Sequence, residues 1–262
     1  SEKPGPECIW PLCIVKEASK KPHNFYYFGP IFENSVINNK RLNLKKIFSI
    51  IKCYLKFFSF FLKKIEFSTK YLFINQIISF LNTSNIFREQ SIQLKATAVV
   101  NKNTEYKWRK LRLRQLQKFK KNYLEETNIT SKITDERKAI DLAIQFYNSK
   151  NINNTIHTNT LKKFLNYSSS NIIKLYFQDK KNSLVGLLIL LKDKEFFHLV
   201  YNIVDINWKK KGLMPFMINE LFKIAKKENL HIDFNGANSL IGSDDKISYG
   251  SNLEYYLDVE IV

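Results

Sequence analysis

The sequence predicts a mixed α/β fold, and three observations in its last third carry the prediction. Residues 172–178, 184–191 and 196–204 are apolar runs of strand length, set so close together that only short hairpins can join them. Lys209-Lys210-Lys211-Gly212 then opens a helix, a basic glycine turn at a helix start. A further apolar strand leads into Asp233-Phe234-Asn235-Gly236-Ala237-Asn238-Ser239. Four of the seven glycines, Gly212, Gly236, Gly242 and Gly250, fall in the final 51 residues, so backbone freedom is concentrated there.

The chain has 262 residues, 44% hydrophobic and 14% aromatic, which suits one large domain or two of about 130 residues with a packed core. Lys and Arg number 42 against 24 Asp and Glu, a formal charge of +18. Such an excess favours polyanionic partners: nucleic acid, phosphorylated cofactors or an acidic membrane face. Charge does not choose among them, and part of it reads equally well as lysines on solvated faces. Cys8, Cys13 and Cys53 are odd in number and lack ligand spacing, while His23, His157, His198 and His231 are scattered. Reduced thiols and no metal are the expectation. Ser1-Glu2-Lys3-Pro4-Gly5-Pro6 is polar and turn-prone with no secretory pattern after it, so a cytoplasmic protein is expected.

Along the chain the elements divide into 1–133 and 134–262. Strands are expected at 9–16 and 24–28, the second closed by Gly29-Pro30. A helix over 44–65 follows, with Lys45, Lys52, Lys56 and Lys63 on one face and Ile47, Ile51, Tyr54, Leu55, Phe58 and Leu62 on the rest. That pattern is amphipathic and not transmembrane: a core helix with a basic face, contact with an anionic membrane surface staying open. A strand over 93–100 precedes a helix over 107–126 with eight basic residues and two acids. Arg109, Arg112 and Arg114 cannot share one helical face, so one or two should turn toward a ligand or phosphate. No zinc finger, aromatic RNA-recognition motif or P-loop accompanies them.

The second half opens with a helix from an N-cap at Thr134 to 149, then a helix over 159–166. Asp179-Lys180-Lys181-Asn182-Ser183 and Lys192-Asp193-Lys194 supply the hairpin turns between the three strands, giving the order α-α-β-β-β-α-β-α-β.

This order, with Asp233-Phe234-Asn235-Gly236-Ala237-Asn238-Ser239, Lys246-Ile247-Ser248-Tyr249-Gly250 and the aromatic Tyr255-Tyr256-Leu257, resembles the C-terminal module of the FemAB-like branch of the GNAT acyltransferase superfamily. Members tend to read D-F-x-G-x-N-S and then F-K-x-S-F-G. Here Asp245 stands where an aromatic residue is usual, and Tyr249 replaces phenylalanine. The match spans about 134–262. Upstream, Gly29-Pro30 and the basic helix are similar to the first module of the same architecture. The resemblance implies a GNAT-like mixed sheet flanked by helices, in two modules in tandem, the first degenerate.

What that family does sets the remaining expectations. The implied activity is an N-acyltransferase moving an acyl or aminoacyl group from a thioester or ester donor to an amine, on an amino sugar or a peptide. An aminoacyl-tRNA-dependent, FemX-like peptidyltransferase and a non-catalytic polyanion-binding module stay open. Acyl-CoA or acyl carrier protein is the expected donor, with tRNA as the other. The family's pyrophosphate loop, Q/R-x-x-G-x-G/A, falls on Lys209, Lys210, Lys211, Gly212 and Leu213, with Met214 in place of the second glycine. Strand 197–204 should offer backbone N–H groups to the donor carbonyl. Asp233, in an otherwise apolar strand, reads as an amine-orienting base or as a cap on the following turn. Tyr249 and His198 are further catalytic candidates, and Asn235, Asn238, Lys246, Arg109 and Arg112 are candidates for holding substrate.

Overall fold

The computed structural model describes residues 8–19, 30–32, 44–69, 90–103, 107–132, 135–153 and 155–261. They form two compact units: unit 1 is Ser1–Ala96 with Tyr255–Val262, and unit 2 is Thr97–Glu254.

Unit 1 wraps a few short strands around one helix. Strand β1 (Cys8–Ile9) pairs antiparallel with β4 (Ile31–Phe32). A second group runs in the order β2 (Ile14–Val15), β3 (Ala18–Ser19), β5 (Lys64–Thr69) and β12 (Asn252–Ile261). Helix α1 (Leu44–Phe58) buries Ile47, Ile51, Leu55 and Phe58 against Ile65, Phe67, Leu257, Val259 and Ile261. Trp10 sits in this core, edge-on to Phe67 and Phe58 at 4.9 and 5.3 Å between ring centroids. The opposite side of β5 and β12 is polar. Lys64 pairs with Glu66 and Glu260 at 3.0 and 2.8 Å, and a cavity of about 220 Å³ is lined by Glu66, Ser91, Gln93, Lys95, Asp258 and Glu260.

Unit 2 is a mixed sheet with helices on both faces. Its strand order is β6 (Gln90–Val100), β11 (His231–Asp233), β10 (Phe196–Val204), β9 (Leu184–Lys192), β8 (Ile172–Asp179) and β7 (Thr127–Thr130). Strands β10 and β11 run parallel, and the other neighbours are antiparallel. Every residue of β9 from Leu184 to Leu190 is buried, as a strand covered on both faces requires. Helices α3 (Arg137–Asn148) and α4 (Thr155–Asn166) pack Leu142, Ala143, Leu161 and Leu165 on Leu187, Ile189, Tyr201 and Ile203. On the other face Gly186 meets Met217 of α6 (Leu213–Glu228), where a Cβ would stand 2.7 Å from the sulfur. Helix α2 (Lys110–Asn122) lies outside α6, with Phe119 stacked on Phe216 at 4.8 Å. Two short helices complete the unit, α5 (Ile206–Lys211) and α7 (Leu240–Ile247).

The expected mixed sheet flanked by helices is present, and its second-half order holds with one addition, the break of the helix after β10 at Gly212. Other expectations need correction. Helix 44–65 stops at Phe58. Residues 64–69 alternate Lys-Ile-Glu-Phe-Ser-Thr, and pairing Ile65 and Phe67 inward on β12 and β3 outweighs continuing the helix. The strand expected over 9–16 is two short pieces, since Trp10 turns into the core. The helix expected from 107 begins at Lys110 and ends at Asn122, followed by a 3₁₀ turn (Leu124–Glu126). Helix α4 begins four residues before the expected 159, where Asn153 accepts the Thr155 N–H at 3.0 Å. The boundary expected at 133 falls inside unit 2, because α2 packs on α6 and β7 pairs with β8. The strand at 24–28, Gly29 and the Thr134 cap lie outside the described residues.

Candidate functional site

The parallel pairing of β10 with β11 is short. It runs through Phe196↔His231, Phe197↔Ile232 and His198↔Asp233 and ends there, while β10 continues to Val204 against β9, with a register shift between Leu199 and Tyr201. Asn235 causes the separation. Its backbone is left-handed, φ 55°, a conformation Asn tolerates better than most residues, and it turns the chain away from β10. Its side chain then reaches back, Nδ2 donating to the Leu199 carbonyl at 2.8 Å. Beyond this strut the β10 edge opposite β9 has no strand partner among the described residues. The two strands therefore part beyond Asp233, and one amide holds the end of their pairing.

A polar network fixes that end. Asp233 is 1% exposed and accepts from the Thr97 hydroxyl of β6, from the Asn235 N–H at 2.8 Å and from His198 Nδ1 at 3.0 Å. His198 Nε2 lies 2.9 Å from Asp193 in the β9–β10 turn. Asp193 also accepts the Glu195 and Phe196 N–H groups, both at 2.7 Å. Burial alone would depress the imidazole, but hydrogen bonds to Asp193 and Asp233 outweigh it and raise the pKa to about 9. For Asp193 burial works upward and is outweighed by the His198 and amide hydrogen bonds, which bring it down to about 2. At neutral pH the unit is a carboxylate–imidazolium–carboxylate chain. An imidazolium donating both N–H groups has no lone pair for a proton, so His198 is not a general base there.

The loop and helix after β11 gather the other candidates. The Lys246 ammonium of α7 donates to the Asn235 and Gly236 carbonyls. Burial pushes its pKa down to about 8, against the pull of Asp233 and Asp245. Arg112 of α2 donates to Ser248 Oγ at 2.9 Å and to Asp245, and its guanidinium lies 5.0 Å from the Tyr249 ring centre. Arg109 binds Asp244 through both terminal nitrogens, at 2.9 and 2.6 Å. These arginines, expected to turn toward a ligand, face the acids of α7, and Arg114 is exposed. Tyr249 is buried between Trp108 and Phe234. Burial raises the pKa of its hydroxyl, which has no hydrogen-bond partner among the described residues. Asn238 is exposed.

The expected pyrophosphate turn, Lys209 to Leu213, is divided between two helices. Residues 206–211 are a helix, whose first N–H groups, on Asn207 and Trp208, are taken by Asp205 at 2.9 and 3.0 Å. Gly212 closes α5 and opens α6 at φ 97°, and a Cβ on it would stand 2.8 Å from the Gln115 carbonyl of α2. A side chain at this position would press on α2. Lys211 lies over the rings of Trp208 and Tyr123, at 4.0 and 5.0 Å, while Lys209 and Lys210 are exposed. A cavity of about 40 Å³ lies at the start of α5, bounded by Leu142, Phe146, Val204 and Asp205, room for a water molecule.

Sequence reasoning missed Thr97, Asp193 and Asp205. Thr97 looked like one more β-branched strand residue, and Asp193 like turn polarity. Asp205, an Asp just ahead of a helix, carried an N-cap signal. Among the described residues no group of three His, Cys, Asp or Glu is placed to hold a metal ion, and no helix is long and apolar enough to cross a membrane.

No family model and no curated protein matches the chain. Among solved structures, the C-terminal domain (DUF2156) of a putative lysylphosphatidylglycerol synthetase from Agrobacterium fabrum is similar with a TM-score of 0.61, over 97% of this chain and 81% of that one, at 9% identity. A conserved protein of unknown function from Bacteroides thetaiotaomicron VPI-5482 is similar with a TM-score of 0.58, over 86% and 76%, at 11% identity. At these identities the likeness is one of fold: the chain has a mixed sheet flanked by helices, similar to that of the putative synthetase's domain.

Proposed function

We propose that the protein is an acyltransferase working across the opening between β10 and β11, moving an acyl or aminoacyl group from an ester or thioester donor to an amine. The observation that carries this reading is the end of β11 pairing at His198 and Asp233 while β10 runs on to Val204. A strand edge of that kind offers main-chain N–H groups to the oxygen of a reacting carbonyl. The neutral amine attacks, a C–N bond forms, and the bond from the acyl carbon to the donor's oxygen or sulfur breaks. Lys246 gives a proton to that departing atom and takes the amine's proton in return, directly or through water. Asp233 holds three donors and serves by keeping β6, β10 and the Asn235 loop in register. Lys246 changes protonation near pH 8 beside this loop, and we assign it the proton delivered to the departing atom.

The α5–α6 turn has Met214 in place of the family's second glycine, and no step is routed through coenzyme A. An aminoacyl ester carried on tRNA suits the charge of +18, as in a FemAB-like enzyme. A neighbour named as a putative lysylphosphatidylglycerol synthetase supports an aminoacyl group. A thioester on acyl carrier protein is the other donor in keeping with that turn, and the acceptor is an amine of a sugar or peptide. A thermal-shift titration with aminoacyl-tRNA, acyl carrier protein and acetyl-CoA tests this, since a real donor stabilises the native state by mass action. Aminoacyl-tRNA is expected to raise Tm beyond deacylated tRNA. An equal or larger rise with acetyl-CoA defeats the donor assignment, and no response to any of the three defeats the acyltransferase reading.

A silent polyanion-binding module is the second reading. It is favoured by one observation: Asp233 and both His198 nitrogens are committed inside the fold. Equal stabilisation by charged and deacylated tRNA, without transfer, is its signature.

A further inference from the structure

The tip of α1 in unit 1 carries aromatic surface where water would be expected. Phe57 is 60% exposed, Phe60 77% and Phe61 43%, whereas Phe58 is buried and anchored edge-on to Trp10. Phe57 and Phe61 meet edge to face at 5.4 Å, and Phe61 meets Phe58 at 6.3 Å. Phe57, Phe58 and Phe61 form one cluster fastened to the core, with Phe60 exposed in the same turn, unlike the scattered single apolar residues of ordinary surfaces. Within the segment itself the charge has one sign. From Leu44 to Ile65 there is no Asp or Glu. Lys52 and Lys56, one helical turn apart, are exposed, and Lys63, exposed beyond the aromatic turn, shares an ion pair with Glu17.

We propose that this tip docks on an anionic lipid bilayer, with Phe57, Phe60 and Phe61 entering the boundary between headgroups and acyl chains while Lys52 and Lys56 meet lipid phosphates. Aromatic rings rimmed by lysines match such an interface at both depths. The centre of a protein–protein interface is depleted of lysine. Edge-to-face rings also lack the parallel faces on which bases stack. Among the described residues no helix is long and apolar enough to cross a membrane, so α1 lies on the bilayer and its inner face, Ile47, Ile51 and Leu55, stays in the core. This inference stands apart from the acyltransferase reading, and its test needs no activity.

The experiment is flotation of the whole chain with two vesicle types, phosphatidylcholine alone and phosphatidylcholine mixed with phosphatidylglycerol, at low and high salt. The wild type is expected to float with the mixed vesicles and to lose binding as salt rises. Phe57→Ser, Phe60→Ser and Phe61→Ser together should cut binding at least tenfold with Tm unchanged, because these rings are exposed. Lys52→Gln with Lys56→Gln should weaken binding and flatten its salt dependence. Equal flotation of the wild type and the triple variant overturns the proposal. So does a dimer in sedimentation that the triple variant dissolves, or a single-stranded RNA complex lost in the triple variant while vesicles are ignored.

Discussion

Two carboxylates, Asp233 in unit 2 and Asp258 in unit 1, have nearly the same partners and very different surroundings. Each accepts a hydroxyl, from Thr97 and Ser68 respectively, and each meets a cation, His198 for Asp233 and Lys95 for Asp258. Asp233 is 1% exposed in a sheet covered on both faces. Asp258 keeps 19% of its side chain open beside the 220 Å³ cavity on a polar sheet face. Where water reaches a pair, it replaces a lost partner at small cost. Where it does not, the whole desolvation penalty of the orphaned groups is left behind. Local chemistry therefore does not set the energy at stake; the number of covered faces does.

The sharpest way to break this contrast is to delete each carboxylate. Asp233→Ala strands the Thr97 hydroxyl, the Asn235 N–H and a His198 N–H, and should cost about 3–5 kcal/mol in urea unfolding. Asp258→Ala should cost about 1 kcal/mol. Equal losses would refute the argument from coverage. Asp233→Asn, which turns an amide N–H toward one of three donors, is expected to lower Tm as well as any turnover, as a structural role requires. A backbone break comes next. Gly212→Ala, with φ 97° and the Gln115 carbonyl 2.8 Å from the new Cβ, should cost about 1–3 kcal/mol, seen as a lower urea midpoint with unchanged slope.

A pH titration sharpens the comparison within unit 2. His198 has a folded pKa raised to about 9 from the ordinary 6.5, so the stability it contributes is full below about 6.5 and is lost as pH rises through about 9. Asp193, lowered from 3.8 to about 2, contributes above its ordinary value and loses that as pH falls through about 2. Tm should decline between pH 6.5 and 9, and His198→Gln should flatten that decline. In NMR the wild-type ring should not titrate between pH 5 and 7.5, and Asp193→Asn should bring its pKa down. If Lys246 delivers the proton to the departing atom, turnover falls as pH rises through about 8, and Lys246→Met removes that limb. The smallest effect belongs to the surface: Arg109→Gln, which parts a solvent-exposed pair with Asp244, should leave Tm unchanged.

The same difference in coverage decided what could be read from the chain. Strand β9 is buried on both sides and announces itself as an unbroken apolar run, and β8 and β10 beside it are apolar at most positions, so their places and hairpins were legible. Lys64 to Thr69 face water on one side, and their alternation was absorbed into the tail of a helix that in fact ends at Phe58. The exposure of Phe57, Phe60 and Phe61 was passed over within that apolar stretch. At the site, Asp233, His198 and Lys246 were each singled out, but the bond between His198 and Asp233 depends on a parallel register that no local pattern encodes. Arg109 and Arg112 looked free because their partners, Asp244 and Asp245, lie far away in sequence and meet them only when α2 and α7 come together.

Asn235 and Gly236 form the dipeptide most prone to spontaneous succinimide formation, in which the following amide nitrogen attacks the side-chain carbonyl and ammonia is lost. Here the fold opposes that ageing. The Asn235 amide is tied to Leu199, and the Asn235 and Gly236 carbonyls are tied to Lys246, so the attacking nitrogen cannot easily swing into line. Once the loop opens, conversion to isoaspartate would add a methylene to the backbone and a second anion beside Asp233, and the strut across the strands could not re-form. The integrity of one side-chain amide thus gives the molecule a shelf life, set by how often this loop lets go.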